Sequence, residues 1–329
     1  MPHNIIIASI GYKRPEYLKE SLDAIMAMDN MDAPIRIFLD LLPDNTLHPE
    51  VYALAKSYSP HVLFPKDKQG CNGTIKSALA HCFSIGADAV LVVEDDIILS
   101  VDALNYVKWA LTHHGDNPSV RNITLWESLH PFPDQNKVVM QKRKFTCWGW
   151  VALKREWSAM EKAWTTDRHD THEGSWDVVM EAHLGGRYEL APTVSRARNI
   201  GEKDGTHRGA AMPVSQANCV VADYYLAPIE KPVYVILGRF GDIYMVCKKI
   251  QNPSIVCCSK RFVEVMDLFP QHEVVVMDND ILDPVKAASL CAAKYPTHEI
   301  IVCQLDQQPS ELCKPFRNYQ AYQEYYASL

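Results

Sequence analysis

The sequence predicts an α/β protein built on a largely parallel, Rossmann-like sheet, followed by a second, smaller Rossmann-like α/β unit. Three observations carry this expectation. Short apolar runs of strand length alternate with segments of helical spacing through the first third of the chain. The runs are apolar at successive positions, as in strands covered on both faces. The same alternation restarts beyond Pro232.

Each element has a local reason. Asn4–Ile10 is an apolar run bounded by polar residues. Pro15 opens a helix, with Leu18, Leu22, Ile25 and Met26 at helical spacing. Ile35–Leu39 reads as a second strand, Glu50–Tyr58 as a short helix and Val62–Phe64 as a third strand. Asn72 or Thr74 caps a helix running through Phe83. Ala89–Val93 is a buried strand that stops at Glu94-Asp95-Asp96, and a helix follows over Val101–His113. From Arg121 the period changes. Asn122–Trp126 and Val138–Met140 read as strands, Phe145–Lys154 as an aromatic, short-looped stretch, and Glu156–Trp164 and Ser175–His183 as helices. Tyr188–Ala191 and Thr193–Asn199 are extended, and a Gly-rich polar loop spans Gly201–Gly209. Pro228 and Pro232 bracket a linker. Beyond it, strands are expected at Val233–Leu237, Ser254–Cys258, Glu273–Met277 and Glu299–Cys303. Helices are expected at Asp242–Ile250, Arg261–Leu268 and Pro284–Lys294, with an aromatic docking tail after them. The expected domains are 1–227 and 233–329, joined by 228–232.

Composition narrows the function classes. Of 329 residues, 47% are hydrophobic and 22% charged, which excludes disorder and coiled coil. A net charge of −7 excludes a globally basic surface for nucleic acid or anionic membrane. No apolar run reaches the roughly 18 residues of a membrane span, and the start carries no basic n-region, so no stable membrane insertion is expected. Ten cysteines without a C-x-x-C pair predict reduced, mostly buried thiols. The expected location is cytoplasmic.

The strongest local signal is the acidic triplet. In open α/β sheets, ligands sit beyond the carboxyl ends of the strands. Three carboxylates at such an end repel one another and call for a cation or for exposure. Hard oxygen ligands suit Mn²⁺ or Mg²⁺ shared with a diphosphate; a charge cluster before the next helix is the plainer alternative. Gly70-Cys71-Asn72-Gly73 lets backbone approach a nucleotide or forms a plain turn, with Lys76 in reach of a phosphate. Arg196 and Arg198 alternate on one strand face and are expected either to hold diphosphate or acceptor or to pair with carboxylates. Trp148 and Trp150 flank a glycine, and at least one is a candidate to stack on an acceptor. Gly238-Arg-Phe-Gly241-Asp242 follows a strand, where glycines suit phosphate approach.

Four stretches in order resemble one family: GYKRPEYLKESLDAI, VLVVEDDIILSVDAL, FTCWGWVALKREWSAMEKAW and SWDVVMEAHLGGRYELAPTVSRARNIGEKDGTH. On these, the first 225 residues resemble a GT-A glycosyltransferase of glycosyltransferase family 13, the N-acetylglucosaminyltransferase I type. The resemblance implies a metal-dependent, inverting transfer of a sugar from a nucleotide diphosphate, with UDP expected, to an acceptor hydroxyl. It implies Asp96 as metal ligand, Glu94 and Asp95 on ribose or shaping the site, and Asp177 as general base. The family has two adjacent acids at that last point, where this chain has Asp177-Val178. The resemblance further implies a nucleotide contact from Arg14, uracil recognition by Asp40, and metal or phosphate contact from His207 on a closing loop. The G-x-x-G-D stretch resembles the opening of heptosyltransferase-type GT-B enzymes, in which Asp242 would be the base; the smaller unit is otherwise expected to be accessory. The family's Golgi members carry an anchor and stem with no counterpart here, so a prokaryotic or phage-infected cytosol is expected. Between Lys137 and Arg208 there are 13 Lys/Arg against 10 Asp/Glu. That local positive balance suits an acceptor that is a glycan or lipid-linked precursor, or a hydroxymethylated DNA base.

Overall fold

The structure is a computed structural model that describes residues 3–126, 139–142, 145–164, 176–184, 187–192, 195–201, 233–237, 254–259, 273–277 and 299–304. The first strand, β1 (Ile5–Gly11), leads through α1 (Pro15–Met26) to β2 (Ile35–Leu39), then through α2 (Pro49–Tyr58) to β3 (Val62–Leu63). Helix α3 (Gly70–Ser84) precedes β4 (Ala89–Glu94), a short β5 (Ile97–Leu99) and α4 (Ala103–His114). Next come β6 (Val120–Thr124), β7 (Val139–Lys142), β8 (Trp150–Leu153), α5 (Lys154–Ala163), α6 (Trp176–Leu184), β9 (Tyr188–Pro192) and β10 (Ala197–Asn199). Strands β11 (Val233–Leu237), β12 (Ser254–Ser259), β13 (Glu273–Met277) and β14 (Glu299–Gln304) complete the described elements.

The architecture is the mixed α/β sheet the sequence predicts. Among the described residues, twelve strands join in the order β13-β12-β14-β11-β7-β9-β6-β8-β4-β1-β2-β3, and β5 and β10 form a separate ribbon. Strands β3, β2, β1 and β4 run parallel. Strand β8 runs antiparallel to β4 and β6, and β7 antiparallel to β9. Strand β11 pairs parallel with β7, and β14, β12 and β13 follow in the same sense. These four therefore run opposite to β1 and β4, so the carboxyl end of β11 lies at the other edge of the sheet from the carboxyl end of β4.

The apolar runs are continuous because both sheet faces are covered. Ile5, Ile7, Ala89, Leu91 and Val93 belong to one core, under α1, α2 and α4. Ile6, Ala8, Ile10, Val90 and Val92 belong to the other, under α3, α5 and α6. The period of two sends alternate residues to opposite faces.

Three local expectations differ. Helix α3 begins at Gly70, where φ is +67°, and not at Asn72 or Thr74. The Thr74 hydroxyl instead donates back to the Gly70 carbonyl at 2.8 Å. The aromatic stretch after Phe145 contains β8, which the Gly149 turn had hidden. Helix α4 starts at Ala103, two residues after the expected Val101, with Asp102 at its N-cap position. The expected helices beyond Asp242, the linker and the aromatic tail lie outside the described residues.

Candidate functional site

Parallel strands leave their carboxyl ends, and the loops after them, along one sheet edge. There β4 delivers Glu94, Asp95 and Asp96, β1 delivers Tyr12 and Arg14, and β2 delivers Asp40. Buried Ser21 of α1 pins the acidic turn from below, its hydroxyl donating to the Ile97 carbonyl at 2.8 Å. The β5–β10 ribbon clamps it from the side, where the Ile200 amide donates to the Asp96 carbonyl at 2.8 Å.

Arg14 is the cation of this cluster. It forms ion pairs with Asp95 and Asp96, its Nη2 lying 2.9 Å from Asp96 Oδ2. Its Nε lies 3.4 Å from Asp95 Oδ2, and its guanidinium is 5.0 Å from the Tyr17 ring centroid. The carboxylates raise the Arg14 pKa in spite of its desolvation. Its Nη1 is buried without a hydrogen-bond partner. One guanidinium faces three carboxyl groups. Burial first, then the charges of Asp96 and Asp95, pushes Glu94 up to about 8. Burial pushes Asp95 up to about 6 against the pull of Arg14. Both shifts mark carboxyl groups drawn out of water at a strand end.

Two cysteines floor the cluster. Cys71, in the first turn of α3, lies 3.5 Å from Glu94 Oε2. Cys147 sits in the extension of β8, level with the end of β4 by the Val92–Trp150 register. Burial and the carboxylates of Glu94 and Asp177 push its thiol well up. Glu94 and Asp177, far apart in sequence, thus act on one side chain. Cys71, Cys82 and Cys147 are free thiols; Cys82 is buried, Cys147 half-buried and Cys71 exposed.

The tryptophans divide. Gly149 adopts φ +69°, and a Cβ there would meet Ala197 and Leu99 at 3.3 Å. Glycine is the residue that takes this turn without strain. On one side of it Trp148 is half-buried, edge-on to Trp126 at 4.5 Å. On the other, Trp150 is fully buried, stacking on Trp176 at 5.6 Å. Trp150 is therefore core and touches no acceptor; of the expected aromatic pair only Trp148 has an open face. The stack continues from Trp176 to Trp164, whose indole N–H donates to Asn72 at 2.5 Å. It fixes Trp176 and so the first turn of α6, where Asp177 stands half-buried.

Other expected residues are occupied within the chain. Asp40 is buried, accepting from the Gln69 amide at 2.9 Å and from Lys68 at 3.2 Å, so it organises the loop before α3. Lys68 also covers the Tyr12 ring at 4.2 Å. Lys76 donates to the Trp164 carbonyl at 2.9 Å, tying α3 to α5 instead of facing the triplet. The two arginines of the expected cationic face separate. Arg196 is buried against Asp102 at 3.2 Å and the Tyr106 ring at 5.1 Å, whereas Arg198 is exposed. Pairing with Asp102 satisfies the carboxylate alternative for Arg196, and burial removes it from diphosphate. His207 and Asp242 lie outside the described residues.

Sequence reasoning missed Asn199 as a neighbour of the triplet. Asn199 accepts from the Gly201 amide at 2.7 Å, and a Cβ at Gly201 would lie 2.4 Å from Asp96 Oδ2. Only the residue without a side chain lets the loop approach that oxygen. The G-x-x-x-G spacing was the available signal. Among the described residues, no group of three or more His, Cys, Asp and Glu converges as a ready metal cage. No helix among them is long and apolar enough to cross a membrane.

No family model matches the chain, and no curated protein does. Solved structures do. A mannosyltransferase from Pyrobaculum calidifontis, in complex with GDP-Man and Mn²⁺, is 15% identical, with a TM-score of 0.41 over 60% of this chain and 58% of that one. Residues 1–349 of TarS from S. aureus match at 11% identity and TM-score 0.43, over 58% and 59%. Glucosyl-3-phosphoglycerate synthase from Mycobacterium tuberculosis, with Mn²⁺ and uridine-diphosphate-glucose, matches at 11% and 0.33, over 47% and 57%. The chain spans less than two thirds of each of these structures. At these scores, what the present site does rests on its own residues.

Proposed function

We propose that the protein is a metal-dependent, inverting glycosyltransferase of the GT-A type, acting from the carboxyl edge of β1, β2 and β4. The observation that supports this best is the acidic triplet at the end of β4, gathered on an arginine that keeps an unpartnered buried donor. A nucleoside diphosphate with a divalent cation would supply a second countercharge for the triplet and acceptor oxygens for Arg14. The donor set fits. Mg²⁺ and Mn²⁺ sites of this class take one or two carboxylates and complete their shell with phosphate and water, so no protein cage is required. Asp96 is the protein ligand in this reading, with His207 as a second candidate. The cation supplies charge neutralisation of the leaving diphosphate.

The chain's own groups do the rest. Arg14 binds the diphosphate through its planar fork. Glu94 and Asp95 shape the pocket for ribose, and Asp40 holds the Tyr12–Lys68 wall beside the base. Asp177 takes the proton of the acceptor hydroxyl as its oxygen bonds to the anomeric carbon. The bond from that carbon to the diphosphate oxygen breaks, its electron pair leaves with the diphosphate, and configuration inverts. Trp148 and exposed Arg198 line the acceptor side. A UDP-sugar is the proposed donor. The proposed acceptor is a cytosolic glycan or lipid-linked precursor, or a hydroxymethylated DNA base. Residues 233–329 form the accessory unit.

The test is nucleoside-diphosphate release from a panel of nucleotide sugars, with Mn²⁺ and with EDTA. The expected result is metal-dependent turnover of one donor, lost in Asp96→Ala and retained in Asp242→Asn. Turnover that survives Asp96→Ala and fails in Asp242→Asn would move the chemistry to the smaller unit.

A further inference from the structure

We infer that Arg14 is a resident counter-ion of the acidic turn, one that a divalent cation must displace, so that the metal enters with its diphosphate and not before it. This rests on the glycosyltransferase reading of the site. One carboxylate oxygen of the proposed metal ligand, Asp96 Oδ2, already has Arg14 Nη2 2.9 Å away. The backbone of Gly201 comes so near the same oxygen that a Cβ there would stand 2.4 Å from it. A metal ion at Asp96 and a guanidinium on the same oxygen repel each other at contact distance.

Arg14 also has a reason to leave, and only when diphosphate is present. Its Nη1 is buried and unpartnered while it holds Asp95 and Asp96. Swinging toward a diphosphate would keep Nη2 bonded and give Nη1 an acceptor, as a bidentate arginine–phosphate pair. The Tyr17 ring at 5.0 Å is a platform on which the guanidinium can turn without losing its cation–π contact. Metal alone offers Arg14 no such partner, so metal alone must work against the ion pairs. The consequence is coupling between the two ligands, reciprocal by linkage.

The test measures Mn²⁺ binding, by calorimetry and by loss of the free-ion EPR signal, to the full chain with and without inorganic diphosphate. In the absence of diphosphate, Arg14→Gln should bind Mn²⁺ about tenfold tighter than the unmodified chain, because the competing cation is gone. Arg14→Lys, which keeps the charge, should stay near the unmodified chain. With diphosphate present the order should reverse, the unmodified chain binding the pair more tightly. Circular dichroism establishes that each variant is folded. Equal or weaker Mn²⁺ binding by folded Arg14→Gln, with binding lost in Asp96→Asn, overturns the counter-ion role and leaves the glycosyltransferase reading standing. Undiminished Mn²⁺ binding in Asp96→Asn places the ion elsewhere and overturns both.

Discussion

Two ion clusters sit at opposite edges of the sheet, and they are built as inverses. At the carboxyl edge one arginine, Arg14, faces Glu94, Asp95 and Asp96. At the other edge one carboxylate, buried Glu156 in the first turn of α5, is held by Arg121, Arg155 and Arg187, the last at 3.0 Å. Among the described residues each holds a formal surplus of two like charges, but the surplus is handled differently. The guanidinium N–H groups donate to the carbonyls of Gly115, Asn117, Pro118, Val120 and His183, at 2.5 to 3.0 Å. Backbone dipoles spread that charge, and the cluster braces the starts of β6 and β9 against α5. The carboxyl groups of the triplet rest on Arg14, and burial pushes Glu94 and Asp95 up in spite of it. A buried cluster that satisfies itself is architecture; one with fewer partners among the described residues is a candidate ligand site.

Asp96→Ala breaks the comparison at its most sensitive point. Donor turnover should fall about 10⁴-fold, by loss of the cation that stabilises the leaving group, while thermal unfolding stays within a few degrees. Glu156→Ala should do the reverse. Removing the one carboxylate leaves three uncompensated guanidinium groups, at a cost of about 4 kcal/mol in urea unfolding, with residual donor binding unaffected in the folded fraction. Should Glu156→Ala abolish donor binding in a fully folded chain, the second cluster is no mere brace.

Trp150→Ala links the two regions, since Trp150 supports Trp176 and through it Asp177. A fully buried indole is lost, so stability should drop by about 3 kcal/mol. Turnover in the remaining folded protein should also drop, because α6 loses its anchor; a variant that is destabilised but catalytically normal would separate Asp177 from the stack.

The smallest effect is a pH ramp. Half-buried His183 has its Nε2 4.0 Å from Glu156 Oε2 and is pressed by burial and by Arg121 to about 4. A histidine with a lowered folded pKa is neutral in the fold and charges first in the unfolded chain. Stability should therefore be flat above the ordinary value near 6.5 and fall by about 2 kcal/mol as pH drops toward 4. Thermal melts at pH 7, 5.5 and 4.5 should show this slope, and His183→Gln should flatten it. An unchanged slope in that variant would assign the acid sensitivity to the carboxylates.

Much of the first half was legible because its signals are local. Pro15 at a helix start, and the double-faced apolar runs of β1 and β4, have one structural solution each. Strand β8 was hidden because its neighbours are aromatic, a pattern shared by loops and strands, and only pairing with β4 and β6 makes it a strand. The triplet was legible because three adjacent acids at a strand end are chemically conspicuous. The roles of Trp150, Lys76 and Arg196 were not, since an indole, an ammonium or a guanidinium reads the same in sequence whether it faces a ligand or a carbonyl.

The sequence alone therefore determined the alternation of strands and helices, the two-sided burial of the sheet and the acidic end of β4, all set by period and neighbouring residues. Tertiary structure alone decided which charges are spent. Arg196 meets Asp102 across 94 positions and Arg14 meets Asp95 across 81. Gly201 reaches Asp96 only because β10 pairs with β5. The reason is that propensity acts between near neighbours, whereas the energy of a charge depends on every group and dipole within a few ångströms, whatever their distance along the chain.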